Sequence, residues 1–110
     1  RRTGEVSKLL AGAGVVAIAA LVSPDREARD RVRATHEEAG LRFLEVHVDT
    51  PLEVCEQRDP KGMYAKARAG EIPDFTGIGA PYEEPLNPEL RFSTADGDVE
   101  SLVARILEVL

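Results

Sequence analysis

Val6, Leu9, Leu10 and Ala13 recur at i, i+3, i+4 and i+7, the repeat of a helix with one apolar face, and Gly12 and Gly14 are placed to stop it. No capping residue precedes this helix, so the expectation is that sequence upstream of Arg1 has been left out. The unbroken apolar run Val15–Val22 has strand length and predicts a parallel strand buried on both faces. Ser23 then reads as the N-cap of a charged helix, with Pro24 at its first position, running to about Ala39 and stopped by Gly40. Phe43–Val48 predicts a second strand, and Asp49-Thr50-Pro51 opens a short helix carrying Leu52, Val54 and Cys55. Alternating strands and helices of this kind predict a parallel sheet with crossover helices, whose ligands gather at the carboxyl ends of the strands.

The rhythm changes at Asp59. Between there and Pro88 lie four glycines and five of the seven prolines, and the segment predicts a long surface loop with a short helix over Lys61–Ala69. A short strand near Glu89–Ser93 follows, then a terminal helix with Val99, Leu102, Val103, Ile106 and Leu110 on its apolar face. No internal repeat and no linker interrupts the chain.

Composition narrows the function. The net charge of −6 argues against general nucleic-acid binding, which needs a basic face. Yet the stretch from Arg58 to Gly70 holds four bases (Arg58, Lys61, Lys66, Arg68) against Asp59 alone, a pattern suited to a small anionic ligand. One cysteine excludes an internal disulfide framework and fits a reducing cytoplasm. One cysteine and two histidines offer no zinc-type spacing, and the longest apolar run is far too short to span a bilayer.

Several residues admit two readings. Lysine as a point charge and arginine as a planar fork bind phosphoryl or sulfuryl oxygens, but a basic helix also simply faces water. Phe75 either stacks on a nucleobase or anchors its loop to the core. Ser23 caps a helix or contacts a phosphate at the helix start; no histidine or lysine nearby in sequence activates it as a nucleophile. Arg1 and Arg2 face an anionic substrate or solvent. Cys55 reads as a small packed hydrophobe, and His47 as an accommodated sheet residue.

Together the segments resemble the adenylyl-sulfate kinase family across nearly the whole chain. The matching stretches are Arg1-Arg2-Thr3-Gly4-Glu5-Val6, Val22-Ser23-Pro24, Phe43 to Leu52, and Cys55-Glu56-Gln57-Arg58-Asp59-Pro60-Lys61-Gly62. They continue with Tyr64, Lys66 to Ile72, Phe75-Thr76-Gly77-Ile78 and Pro81-Tyr82-Glu83. The resemblance implies an α/β, P-loop-kinase-like three-layer fold with a parallel sheet, incomplete at its N-terminus. Residues 1–110 would then be the C-terminal portion of a single kinase domain, with a lid over about 59–88.

The implied activity is transfer of phosphate from MgATP to the 3′-hydroxyl of adenylyl sulfate (APS), giving PAPS and ADP in sulfate activation. Lys61, with Lys66 and Arg68 after it, then belongs to the lid, and Lys61 to the catalytic and substrate contacts. Phe75 stacks on the APS adenine with Asp74 beside it, while Arg2, Val22 and Ser23 contact APS. Ser23 is also the family's phosphoserine position, although direct in-line transfer needs no such step. Gly97 falls where the family touches the ATP base. The implied partners are APS and ATP, with a homodimer and a fusion to or complex with ATP sulfurylase as further expectations; no nucleic acid, membrane or bound metal ligand is implied.

The departures are specific. The chain contains no G-x-x-x-x-G-K-[ST] loop, its D-G-D triplet, Asp96-Gly97-Asp98, lies in the terminal stretch and is not the family's acidic Mg-proximal motif of that type, and the arginine and asparagine that precede Arg1 in the family are missing. Gly79 replaces the family's usual aspartate, and Ala65 stands where lysine is common. Because positioning and electrostatics supply nearly all of phosphoryl-transfer catalysis, the chain alone is expected to be inactive. The alternatives are a non-catalytic APS- or PAPS-binding module of the same ancestry, a kinase for another small nucleotide, and a structural or dimerisation fragment.

Overall fold

The structure, a computed structural model, describes residues 1–110 and divides into two compact units, residues 1–44 and 45–110.

In the first unit, α1 (Arg2–Gly12) packs on α2 (Arg26–Glu38). The approach is close at Gly4, where a Cβ would lie 2.8 and 2.9 Å from the two methyl carbons of Val32. Both helices end in the same way. Gly14 (φ 83°) and Gly40 (φ 69°) take the left-handed conformation, donating to Ala11 O and Glu37 O, and the next amides, Val15 and Leu41, reach back to Leu10 O and His36 O. This double closure satisfies carbonyls that the helix cannot, and it requires the conformation glycine adopts without steric cost.

Two expectations for this unit are corrected. Residues 15–22 form no strand, and the run is open to solvent, with Ile18 89% exposed. Apolar character alone does not make a strand; a ladder needs a hydrogen-bonded neighbour, and the only sheet pairs two other segments. Ser23 does not cap α2, nor does Pro24 begin it. Ser23 has φ 42°, whereas Asp25 has the extended backbone of a cap (φ −87°, ψ 120°) and its carboxylate accepts the Ala28 amide at 2.6 Å. At the far end of α2, buried His36 donates from Nδ1 to Val32 O (2.8 Å) and meets Phe43 edge-on at 5.2 Å, with the Arg33 guanidinium 5.0 Å from the same ring.

In the second unit, β1 (Val46–Val48) and β2 (Leu90–Phe92) pair in parallel, with Val46 opposite Leu90, His47 opposite Arg91 and Val48 opposite Phe92. The ladder continues at both ends through Leu90 N to Glu45 O (3.3 Å) and Asp49 N to Phe92 O (2.8 Å). β1 is shorter than the expected Phe43–Val48, because Phe43 is committed to the His36 and Arg33 contacts rather than to the ladder. His47 is a buried sheet residue, its ring stacked on Tyr82 at 5.7 Å and its Nδ1 without a hydrogen-bond partner.

The helices α3 (Leu52–Arg58), α4 (Met63–Arg68) and α5 (Val99–Val109) complete the unit. α5 is capped by Asp98, which accepts the Ser101 amide at 2.8 Å. Its expected apolar face is only partly covered: Leu102 is buried, but Val99, Val103 and Leu110 are exposed. Eleven residues of amphipathic helix present more apolar surface than the two-stranded sheet of this unit covers.

Candidate functional site

The basic segment is held in place by carboxylates. Asp59 follows α3 directly, and its two oxygens accept the amides of Tyr64 (3.1 Å) and Ala65 (3.0 Å) at the start of α4. That bond pair replaces the side-chain cap that Gly62, in the N-cap position with φ 65°, cannot provide. At the other end Arg68 reaches back to α3 and binds Glu56 through two hydrogen bonds, Nε to Oε1 at 2.6 Å and Nη2 to Oε2 at 3.0 Å. Arg68 holds the Glu56 carboxyl below its ordinary range, the hydrogen bond being the main cause. α4 then closes on Gly70 (φ 78°), with Glu71 N bonded to Lys66 O.

This arrangement separates the cations of the basic segment. Arg68 is spent on Glu56, while Lys61 and Lys66 are exposed and carry no ion pair. Lys61 lies in the turn between α3 and α4. A flexible ammonium there can meet an anion as a point charge.

Asp74 and Phe75 begin a tight turn. Asp74 takes a left-handed backbone (φ 53°), one that aspartate tolerates better than most residues. The Phe75 carbonyl accepts three amides, from Ile78 (3.0 Å), Gly79 (2.9 Å) and Ala80 (3.1 Å), and Gly77 N returns to Ala80 O at 2.7 Å. A Cβ on Gly79 would stand 3.3 Å from the Asp74 nitrogen, so glycine suits this closure. The half-buried Phe75 ring meets Tyr64 edge-on, centroids 5.1 Å apart at 70°.

A second cluster closes the carboxyl ends of the two strands. Thr50 and Thr94 share a hydroxyl hydrogen bond (2.8 Å), and Thr50 Oγ1 also accepts the Thr94 amide (3.0 Å). Arg58 donates to Thr94 Oγ1 (2.7 Å) and to its carbonyl (3.1 Å). Gly97 follows in the exposed turn before α5, where a Cβ would lie 2.9 Å from Ser101 Oγ. Cys55, half-buried, points its thiol at Thr50 O (3.8 Å).

The family model of adenylylsulphate kinase matches residues 1–93. The chain belongs to that family. Among curated relatives, the adenylyl-sulfate kinases of Shewanella pealeana and Shewanella amazonensis are each 56% identical over the whole chain. The chain spans about half the length of these relatives, 53% and 54% respectively. Among solved structures, the Mycobacterium tuberculosis APS kinase CysC in complex with AMPPNP and APS matches 97% of this chain and 61% of its own, with TM-score 0.93 and 46% identity. The two units therefore carry the α/β fold of an adenylylsulphate kinase, with a small parallel sheet.

Within that fold, Lys61, Lys66, Arg68, Asp74, Phe75 and Gly97 belong to the second unit, and Arg2, Val22 and Ser23 to the first. Arg2 opens α1 and is exposed, Val22 is exposed at the end of the apolar run, and Ser23 is half-buried with its strained backbone. No cluster of three metal-ligating side chains occurs in either unit, and no helix is long and apolar enough to cross a membrane.

Sequence reasoning missed Glu56, Asp59, Tyr64 and the Thr50–Thr94 pair as organisers of the site. An acid just before a glycine-led helix is a capping signal, so Asp59 was open to discovery. The Glu56–Arg68 and Thr50–Thr94 pairs join residues 12 and 44 positions apart, which no local pattern encodes.

Proposed function

We propose that the protein to which this chain belongs is an adenylyl-sulfate kinase, transferring the γ-phosphoryl group of MgATP to the APS 3′-hydroxyl. In the reaction the 3′-oxygen forms the new bond to phosphorus, the bond from phosphorus to the β,γ-bridging oxygen breaks, and the hydroxyl proton is released. The products are PAPS and ADP, and the place of the reaction is cytoplasmic sulfate activation. The observation that carries this reading is the match of 97% of the chain, at TM-score 0.93, to a kinase whose structure holds both APS and an ATP analogue.

Residues 1–110 are read as the C-terminal portion of one kinase domain, with residues 59–88 as its lid. Phe75 offers its ring to the APS adenine, Asp74 sets the turn beside it, and Arg2, Val22 and Ser23 supply further APS contacts. Lys61 and Lys66, unpaired and exposed, are the lid cations available to phosphoryl and sulfuryl oxygens. Arg68 serves the lid by fastening α4 to α3. Gly97 leaves room at the ATP base. The chain carries no P-loop, so it does not hold the phosphates of ATP by itself. A homodimer and an association with ATP sulfurylase belong to the same reading.

Calorimetric titration with APS, in the presence of ADP and Mg²⁺, tests it on this chain and on the full-length protein. Binding by the full-length protein alone supports a kinase whose ATP machinery lies outside residues 1–110. Failure of both, with folding confirmed, overturns the APS assignment. APS binding by the full-length protein without turnover of MgATP identifies a non-catalytic module instead.

A further inference from the structure

Phe75 lies outside any helix or strand, where a side chain keeps a fixed direction only if its neighbours impose one. Its backbone is fixed by the three amides on its carbonyl. Its ring meets Tyr64, at 5.1 Å and 70°. This edge-to-face contact is the favoured geometry for two aromatic quadrupoles.

Tyr64 is itself carried on a clamped element. Its amide and that of Ala65 are held by Asp59, while Arg68, one turn further along α4, is forked onto Glu56. Glu56 lies in α3 and Asp59 directly follows it, so α4 is fastened to α3 at each end. Burial, and then Cys55 beside it, push the Tyr64 phenol above its ordinary range, which keeps the ring neutral at any physiological pH.

We propose that Tyr64 is a positioning residue for APS: it holds the Phe75 ring at the angle that receives the adenine, so that the basic helix α4 and the aromatic platform act as one part. The inference rests on the reading of Phe75 as the adenine platform. It assigns to Tyr64 no contact with the substrate, and it makes the ring, rather than the hydroxyl, the functional group.

The test uses the full-length enzyme with Tyr64→Leu, Tyr64→Phe, Phe75→Ala and the Tyr64→Leu/Phe75→Ala double variant, with thermal melting to confirm folding. Loss of an aromatic pair predicts a rise of about two- to tenfold in KM for APS in Tyr64→Leu, with KM for ATP unchanged. Tyr64→Phe restores the wild-type value, and Tyr64→Leu adds nothing once Phe75 is alanine. An unchanged KM for APS in Tyr64→Leu, an equal defect in Tyr64→Phe, or additive effects in the double variant overturns the proposal. A fluorine label on the Phe75 ring separates this failure from that of the functional reading. A ring ordered in the wild type and loosened by Tyr64→Leu upholds the clamp even if the enzyme turns over no APS. A ring indifferent to residue 64 overturns the clamp even if APS is the substrate.

Discussion

Arg68 and Glu56 meet fork to fork, Nε to Oε1 at 2.6 Å and Nη2 to Oε2 at 3.0 Å, joining the last turn of α4 to the middle of α3. The pair removes one of the four bases of the Arg58–Gly70 segment from the pool that can meet a ligand. It also makes this contact between α4 and α3 depend on pH. Arg68 holds the Glu56 carboxyl below its ordinary value of 4.5, so the contact's contribution is fully present above that value and is lost as pH falls through the depressed folded one. Amide-exchange protection of α4 is expected to fall in acid in the wild type. In Glu56→Gln, protection is expected to be lower at neutral pH and to lack this acid-dependent loss. Because Glu56 and Arg68 are 24% and 58% exposed, added salt is expected to weaken the wild-type contact as well.

Asp59 substitutes for an N-cap from outside the usual position. Asp59→Ala is expected to cost about 0.5–2 kcal/mol, the range for losing a helix cap. Asp59→Asn, which keeps one acceptor oxygen, is expected to retain part of it. Faster exchange at the Tyr64 and Ala65 amides, with the amides of α5 unaffected, identifies the cap as the cause.

Gly4 is required by contact rather than by dihedral angle. In Gly4→Ala the new methyl meets both Val32 methyl carbons inside 3 Å, and a β-branched side chain on a helix has no easy rotamer to move to. A loss of about 1–3 kcal/mol is expected in urea unfolding. Shortening the neighbour in Gly4→Ala/Val32→Ala is expected to recover part of the loss.

Thr50 anchors Thr94 through both its hydroxyl and its amide. Thr50→Val keeps the shape and removes the acceptor, leaving a half-buried amide unpaired. The expected cost is about 1–3 kcal/mol, read as a lower urea midpoint with unchanged slope.

Ser23 bears on mechanism. Its backbone, at φ 42°, does not cap the following helix. On the proposed kinase reading with direct in-line transfer, Ser23→Ala in the full-length protein is expected to keep turnover within about tenfold of wild type. A phosphoserine route predicts that the same variant abolishes turnover and that the wild type becomes labelled from γ-labelled ATP.

The helices were legible because their signals are local. The periodicity of Val6, Leu9 and Leu10 places α1, and Gly14, Gly40 and Gly70 close three helices through contacts within six residues. The basic character of Arg58–Gly70, the aromatic at Phe75 and the family resemblance could likewise be read from order and spacing, since residue type and interval are what a sequence contains.

What only the tertiary structure decided were the partners. Val15–Val22 has the composition of a buried strand yet pairs with nothing, because a strand is a relation between two segments. Ser23 has the chemistry of a cap, but its backbone angle gives the role to Asp25, two residues on. Arg68, Lys61 and Lys66 look alike as cations. The fold alone pairs Arg68 with Glu56 and leaves the two lysines free, because an ion pair across 12 residues is set by where two helices come to rest.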